Sequence, residues 1–519
     1  MVEWIIYCSR EERLMSILKA NNIIIFGGGT SGWLAATYMV NNIKFPCNIT
    51  VIESTKIGPI GVGEGTQPAT ARFLYDAGVD PKTWMEPSDS VFKMGVEFVG
   101  WSDKNFFVDN DFVEHTQIGP GLYTSNYYID KSLEEYLDYL PAYQMAKHNK
   151  SPKLAGLDTN YALSGDRQFG AVHFAAQKIV DSLKKIVGDR VTTIDTEIVD
   201  IKSDNNGITA LIDKDGNSYT ADLYVDCTGF KSLLLEKELG VDFQPVTDFL
   251  PCDRAVAMPT QYNDPKEECH PYTKATAMKA GWRWTIPVFS RIGNGYVYSS
   301  KYITPEEAEK ELRESIGEYE AEANHLEMKC GIHKVVAHKN VVAAGLSAGF
   351  VEPLEATGIT FTTQAVEMLV HLLNQGQGVW QNNSKAYFNE SYIRSFWEIV
   401  SFVWAHYHFS TKNDTDFWKD IHKQKIDKVP QQVVDTIGAF VPSPHNGFFL
   451  HPESHFHVGH WFQVLFANGV YDKHPKVVEG DREKYAEYFI ANQKFRTEKI
   501  IEMFPNHYEF LKEWYGKTD

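Results

Sequence analysis

No apolar run among the 519 residues is long enough to span a bilayer, which argues against an integral membrane helix. A secretory leader is expected to be missing too. Arg10, Glu11, Glu12 and Arg13 interrupt the first 22 residues, and no small-residue cleavage site follows. Cysteine is scarce: the six residues, at positions 8, 47, 227, 252, 269 and 330, form no CxxC pair. That speaks against a disulfide framework and for free thiols in a reducing cytoplasm. Positive charge is in deficit. With 50 Lys and Arg against 68 Asp and Glu, the net charge of −18 disfavours nucleic acid and anionic membranes as partners. There is no internal repeat and no low-complexity tract. What remains is a chain 43% hydrophobic and 13% aromatic, able to bury a large core and long enough for two or three packed subdomains.

Its first strong signal is a βαβ opening. The β-branched run Asn22 to Phe26 leads into Gly27, Gly28, Gly29, Thr30, Ser31 and Gly32; a helix follows, then a strand ending near Glu53, 21 residues beyond Gly32. Strand, GxGxxG loop, helix, strand and acid in this order fit a dinucleotide site, with the acid placed to hold a ribose hydroxyl. Lys56 to Pro68 is glycine-rich and includes Gly63, Glu64 and Gly65. It reads equally as a surface loop or as a strap laid across a cofactor, since glycine lets backbone approach closely. The region 191–226 reads as a β-meander whose last run, Leu223 to Asp226, returns to the main sheet. Far downstream, Phe350 to Gly358 (FVEPLEATG) follows an apolar strand from Asn340 to Leu346 and opens a helical run. Free N–H groups at such a helix start can hold an anion or a flavin oxygen. Glu352 and Glu355 are expected at its first turn. Two nucleotide-contacting segments so far apart suggest one extended dinucleotide threaded through a large fold.

These motifs resemble the flavin-dependent halogenases, most closely the tryptophan-halogenase type, over roughly residues 21–470. GGGTSGW resembles the family's GGGTAGW, and GVGEGTQP its GVGEATxP strap. Trp282-Arg283-Trp284-Thr285-Ile286-Pro287 matches WxWxIP, and the segment from Phe350 matches FxxPxxSxG except at Ala356. Ala405-His406-Tyr407 with Asp414 to Trp418 is similar to AHY…DTPFW, and Phe92-Lys93 with Phe98 and Trp101 to the segment bearing the catalytic lysine.

The resemblance implies an α/β fold: a Rossmann-type, flavin-monooxygenase-like FAD domain with a sheet-rich insertion and a helical C-terminal substrate domain. The expected boundaries are an extension over 1–21, a core over 22–370 with its insertion at about 231–335, and a capping region over 371–519. It implies FADH2 from a separate flavin reductase, dioxygen and a halide as co-substrates, and a small aromatic substrate; a homo-oligomer stays open. Lys93 matches the lysine that holds hypohalous acid beside the arene, and Glu355 the base that takes the ring proton. Thr357 and Gly358 match halide-binding positions. Leu346 and Ile359 match flavin contacts, and Val199 matches one on the adenine side. Glu352 is expected to be structural, at the helix start.

Two departures bear on specificity. Ala356 replaces the family's serine, removing a hydroxyl beside Glu355 and favouring bromide or iodide over chloride. The clamp for free tryptophan is replaced by His451 to Trp461, so the arene is open. Within that run His455 and His457 can share a strand face and take Zn or Cu. With no cysteine nearby and Glu453 the one acid, a pocket rim or surface loop is the better reading, and no metal is expected. His115 is a weaker candidate for ring contact, and His173 reads as a packed, hydrogen-bonded histidine. Two other functions compete. A single-component flavin hydroxylase usually carries Gly-Asp where Ala344-Gly345-Leu346-Ser347 stands here, and a non-enzymatic escort has little use for an intact nucleotide loop.

Overall fold

The structure is a computed structural model that describes residues 18–56, 64–110, 127–153, 170–424, 429–438, 441, 454–474 and 479–517. Gly63, His115, His451, Glu453 and the start of the N-terminal extension lie outside the described residues.

Asn22–Phe26 supplies the central strand because Ile23, Ile24 and Ile25 are apolar on both faces and buried. The six-stranded sheet around it runs 337–338, 341–343, 223–226, 22–26, 48–53, 192–195, parallel throughout except for its Ala337–His338 edge. The helix Thr30–Asn42 packs between Ala176–Val187 and Gly358–Gln375, covering the sheet. This is the α/β nucleotide-binding fold expected, and Leu223–Asp226 does return to the main sheet. The meander is the three-stranded set Ile198–Asp204, Gly207–Asp213 and Ser218–Tyr219. The strand expected from Asn340 to Leu346 is shorter, Val341–Ala343, because the chain tightens into a 3-10 turn at Gly345–Ser347 with Gly345 at φ +64°.

The second sheet has seven strands in the order 324–327, 254–260, 291–298, 281–288, 273–278, 95–99, 106–109. It is wider than an insertion at 231–335 provides. Gly95–Val99 pairs parallel with Thr273–Thr276 and brings Phe106–Asp109 with it, so the edge of this sheet is made by residues just after Lys93. Leu18–Lys19 pairs with Val379–Trp380, tying the stretch ahead of the first main strand to the body. From residue 382 onward the described chain is helical: Asn382–Phe409, Asp416–His422, Val458–Ala467, Asp481–Met503 and His507–Trp514 are its main pieces. Large rings fill the seam, with Trp101, Trp404, Trp418 and Trp461 all buried. Among the described residues no helix is long and apolar enough to cross a membrane.

Candidate active site

Three short strands frame the site. Ala171–Phe174 pairs antiparallel with Glu64–Gly65 on one side and with Val91–Lys93 on the other, setting Gly65 opposite His173 and Lys93 opposite Ala171. The described end of the glycine-rich segment is therefore a strap built into the fold. A Cβ at Gly65 would stand 3.3 Å from the Cβ of Ala356, so the close approach of strap to turn depends on glycine. Thr66 and Gln67 then make the decisive links. The Lys93 ammonium donates to the Thr66 carbonyl at 3.0 Å, and Gln67 Nε2 donates to the Glu355 carbonyl. Consecutive strap residues thus tie the Lys93 amine and the backbone of Glu355 to one segment.

Lys93 is 2% exposed. Desolvation lowers its pKa to about 8, partly offset by the charge of Glu355. Glu355 sits in a turn at φ 65°, ψ 12°, and Ala356 follows at φ 54°. Two successive non-glycine residues in the left-handed region cost about 1–2 kcal/mol each. The Ala356 N–H, donating to the Pro353 carbonyl at 2.9 Å, and the Gln67 amide hold the turn. The helix begins only at Gly358, so the two carboxylates lie ahead of its first turn rather than in it. The turn also sends them apart. Glu355 Oε1 lies 3.0 Å from His406 Nε2, whereas Glu352 Oε1 accepts from Trp282 Nε1 at 2.9 Å and from the Tyr407 hydroxyl at 2.7 Å. Glu352 is thus a buried anchor for the WxWxIP strand rather than a helix-start carboxylate, and burial pushes its pKa up to about 7.

The flavin positions can be tested on their shape. Gly27, at φ +121°, runs so close to Cys227 that a Cβ would meet its carbonyl oxygen at 2.2 Å, while Gly29 faces open space. At Gly28 and Gly32 a Cβ would strike Glu53 and the Gly27 carbonyl. Such a loop, followed at once by the N-terminus of Thr30–Asn42, presents bare N–H groups to a pyrophosphate. Ser31 Oγ meets Thr362 Oγ1 at 2.9 Å, joining the first nucleotide segment to the second. Leu346 and Ile359 occupy the adjoining 3-10 turn and the first turn of Gly358–Gln375. Beside them the hydroxyls of Thr357 and Thr360 are buried without a partner, at a helix start whose dipole favours an anion. These residues fit a flavin and a halide. Glu53 is buried at the loop, its Oε2 taken by Trp33 Nε1 at 2.9 Å and its Oε1 by Lys184 at 2.7 Å; each oxygen keeps a lone pair for a ribose hydroxyl. Val199 is 60% exposed on the strand Ile198–Asp204.

His455 and His457 do not share a strand face. They precede the helix Val458–Ala467, where His457 is the N-cap and its N–H donates to His460 Nδ1. Among the described residues no cluster able to hold a metal is present. Phe456 stacks on Phe402, so the segment lines the helix that carries His406. His173 is packed as expected, its Nε2 2.8 Å from Thr273 Oγ1. His406 stands out in sequence only as part of Ala405-His406-Tyr407, although its spacing from Phe402 puts both on one helical face. His507 left no signal there at all. Its Nε2 accepts from the Phe92 N–H at 3.2 Å and its Nδ1–H donates to the Cys269 carbonyl at 2.9 Å.

Residues 22–482 match the tryptophan halogenase family. The chain is 31% identical over 527 residues to the tryptophan 6-halogenase of Streptomyces toxytricini, covering 96% of this chain and 99% of that one. It is 28% identical to the tryptophan 7-halogenase of Lentzea aerocolonigenes, again with 96% and 99% coverage. Its fold superimposes on a flavin-dependent halogenase from Xanthomonas campestris with a TM-score of 0.84 at 27% identity, covering 96% of this chain and 98% of that one.

Proposed function

The chain belongs to the tryptophan halogenase family, and from that premise we propose how its own residues divide the work of a flavin-dependent halogenase acting on an electron-rich indole- or phenol-like arene. Bound FADH2, delivered by a separate reductase, would supply two electrons to dioxygen, and dioxygen would be the oxidant that converts halide to hypohalous acid with FAD and water as the other products. The Rossmann loop Gly27–Gly32, Glu53 and the strap hold that cofactor, with Leu346 and Ile359 against it and Val199 towards the adenine. Thr357 and Gly358 receive the halide: the buried Thr357 hydroxyl has no other partner and the helix start favours an anion. Lys93 then holds the hypohalous acid. Its ammonium donates to the oxidant's oxygen and makes the halogen more electrophilic towards the ring. A buried amine does this selectively, because lysines in solvent only consume oxidant. Glu355 takes the proton that leaves the ring.

One observation carries this reading. Thr66 and Gln67, adjacent in the strap, bond to the Lys93 ammonium and to the Glu355 backbone carbonyl, so one short segment ties together two buried residues whose charges influence each other. Ala356 makes the neighbourhood of Glu355 less polar than serine would, so bromide or iodide is favoured. The cytoplasm is its compartment, consistent with the free thiols of Cys47, Cys227, Cys252, Cys269 and Cys330.

The test is Lys93→Ala. It should consume dioxygen and reduced flavin at the wild-type rate while forming almost no enzyme-directed product. Near-wild-type rate and regiochemistry in this variant would make free hypohalous acid the agent and overturn the assignment. Ala356→Ser should move the halide preference towards chloride in competition assays with equal halide concentrations.

A further inference from the structure

We propose that His406 is the positioning partner of Glu355 and holds one proton in common with it, so that the ring proton arrives on Oε2 while Oε1 stays bound to the imidazole. This rests on the reading of Glu355 as the base. The geometry leaves little choice. His406 Nδ1 lies 2.8 Å from the Phe402 carbonyl, which can only accept, so Nδ1 carries hydrogen. A neutral imidazole would then aim the Nε2 lone pair at a carboxylate oxygen 3.0 Å away. Two lone pairs do not face each other at that distance in a buried site; a proton lies between them. His507 is the contrast within the same molecule. Its Nε2 faces an N–H and its Nδ1 a carbonyl, so the neutral ring satisfies both.

Both members of the pair are sealed, His406 at 0% and Glu355 at 3% exposure. The imidazole plane is fixed by Phe98 at 4.8 Å and Phe402 at 4.7 Å between ring centroids. During the arene step the C–H bond at the halogenated carbon breaks and its electron pair restores the aromatic ring. The proton forms a new O–H bond at Glu355 Oε2. The pair then carries three protons, on Nδ1, between Nε2 and Oε1, and on Oε2, and gives the third back to solvent after product leaves. Without His406, Oε1 has no donor and the carboxylate is free to rotate out of line.

The experiment has a spectroscopic arm and a kinetic arm. With 15N-histidine labelling of the full chain, wild type should show His406 Nε2 at a protonated or shared-proton shift, and Glu355→Gln should return it to an unprotonated one. An unprotonated Nε2 in wild type overturns the proposal. In the kinetic arm, His406→Phe keeps the ring packing and should lower product formation about 10- to 100-fold at unchanged dioxygen consumption. His406→Gln, which can still donate to Oε1, should recover part of the rate. A fully active His406→Phe beside a slow Glu355→Gln would sink the role of His406 alone, whereas a fully active Glu355→Gln would sink the base itself. The labelling arm decides the question if His406→Phe does not fold.

Discussion

Lys93 is a residue the fold would be more stable without. Its pKa falls from 10.5 unfolded to about 8 folded, so the charged form is disfavoured in the folded state. A shift of that size is worth about 3 kcal/mol as an upper bound. The cost is present in full below pH 8, where both states are protonated, and fades between pH 8 and 10.5. Lys93→Met should therefore raise unfolding stability at pH 7 by about 1–2 kcal/mol in urea titrations, a gain that shrinks at high pH, while ending directed halogenation. Glu352 carries the mirror case. Its pKa rises from 4.5 to about 7, so the folded state binds more protons between those values. Stability should fall as pH climbs from about 4.5 to 7, by about 3 kcal/mol at most from this one group. Glu352→Gln keeps an acceptor for Trp282 and Tyr407 and should flatten that part of the stability profile. Neither shift was legible from residue type alone. A lysine between apolar neighbours reads as an ordinary surface amine until its flanking motif is recognised, and the two acids of FVEPLEATG look equivalent until the left-handed turn at Glu355 and Ala356 separates them.

At the level of elements, the βαβ opening was readable because its signals are local: an Ile-rich strand, glycines at fixed spacing, an acid at the next strand's end. Short strands were not. Glu64–Gly65, Val91–Lys93 and Ala171–Phe174 each hold too few residues to show a period, and their pairing joins segments about 100 residues apart. The recruitment of Gly95–Val99 into the second sheet is hidden for the same reason, since a parallel pairing with Thr273–Thr276 leaves no local trace. The helix His507–Trp514 is the extreme case. It clamps the Lys93 strand through the Phe92 N–H bond to His507, the Tyr515 hydroxyl on the Ser90 carbonyl at 2.7 Å, and the rings of Phe92 and Trp514. His507→Phe would leave a buried N–H and a buried carbonyl without partners and should cost about 2–4 kcal/mol. It should also lower directed product more than dioxygen consumption, because the strand it loosens carries Lys93 rather than the cofactor loop. Equal losses in the two assays would show that the clamp serves the whole fold instead.

Over the whole molecule the two halves of the chemistry use different frames. The parallel sheet and the helices Thr30–Asn42 and Gly358–Gln375 form the side proposed to hold the cofactor. The three-stranded frame, the seven-stranded sheet and the downstream helices surround Lys93, the side proposed to take the arene. The sequence carries one GxGxxG loop, and the run directly after Val341–Ala343 is Ala344-Gly345-Leu346-Ser347 with no Gly-Asp pair. NADH without a reductase should therefore fail to bleach bound FAD in stopped flow, and rapid bleaching would revive a single-component hydroxylase.

The clamp on Phe92 also sets an order of events at the ribosome. The Phe92 bond reaches a residue 415 positions downstream, whereas every element of the cofactor side has been synthesised by Gln375. At about 5–20 residues per second, the roughly 130 residues between Gln375 and His507 take some 7–26 s to make. On the proposed assignments, a nascent chain would complete its flavin side before it can hold Lys93 in place. If the proposed roles hold, hypohalous acid made in that interval would reach the unfinished chain itself before any site exists to hold it.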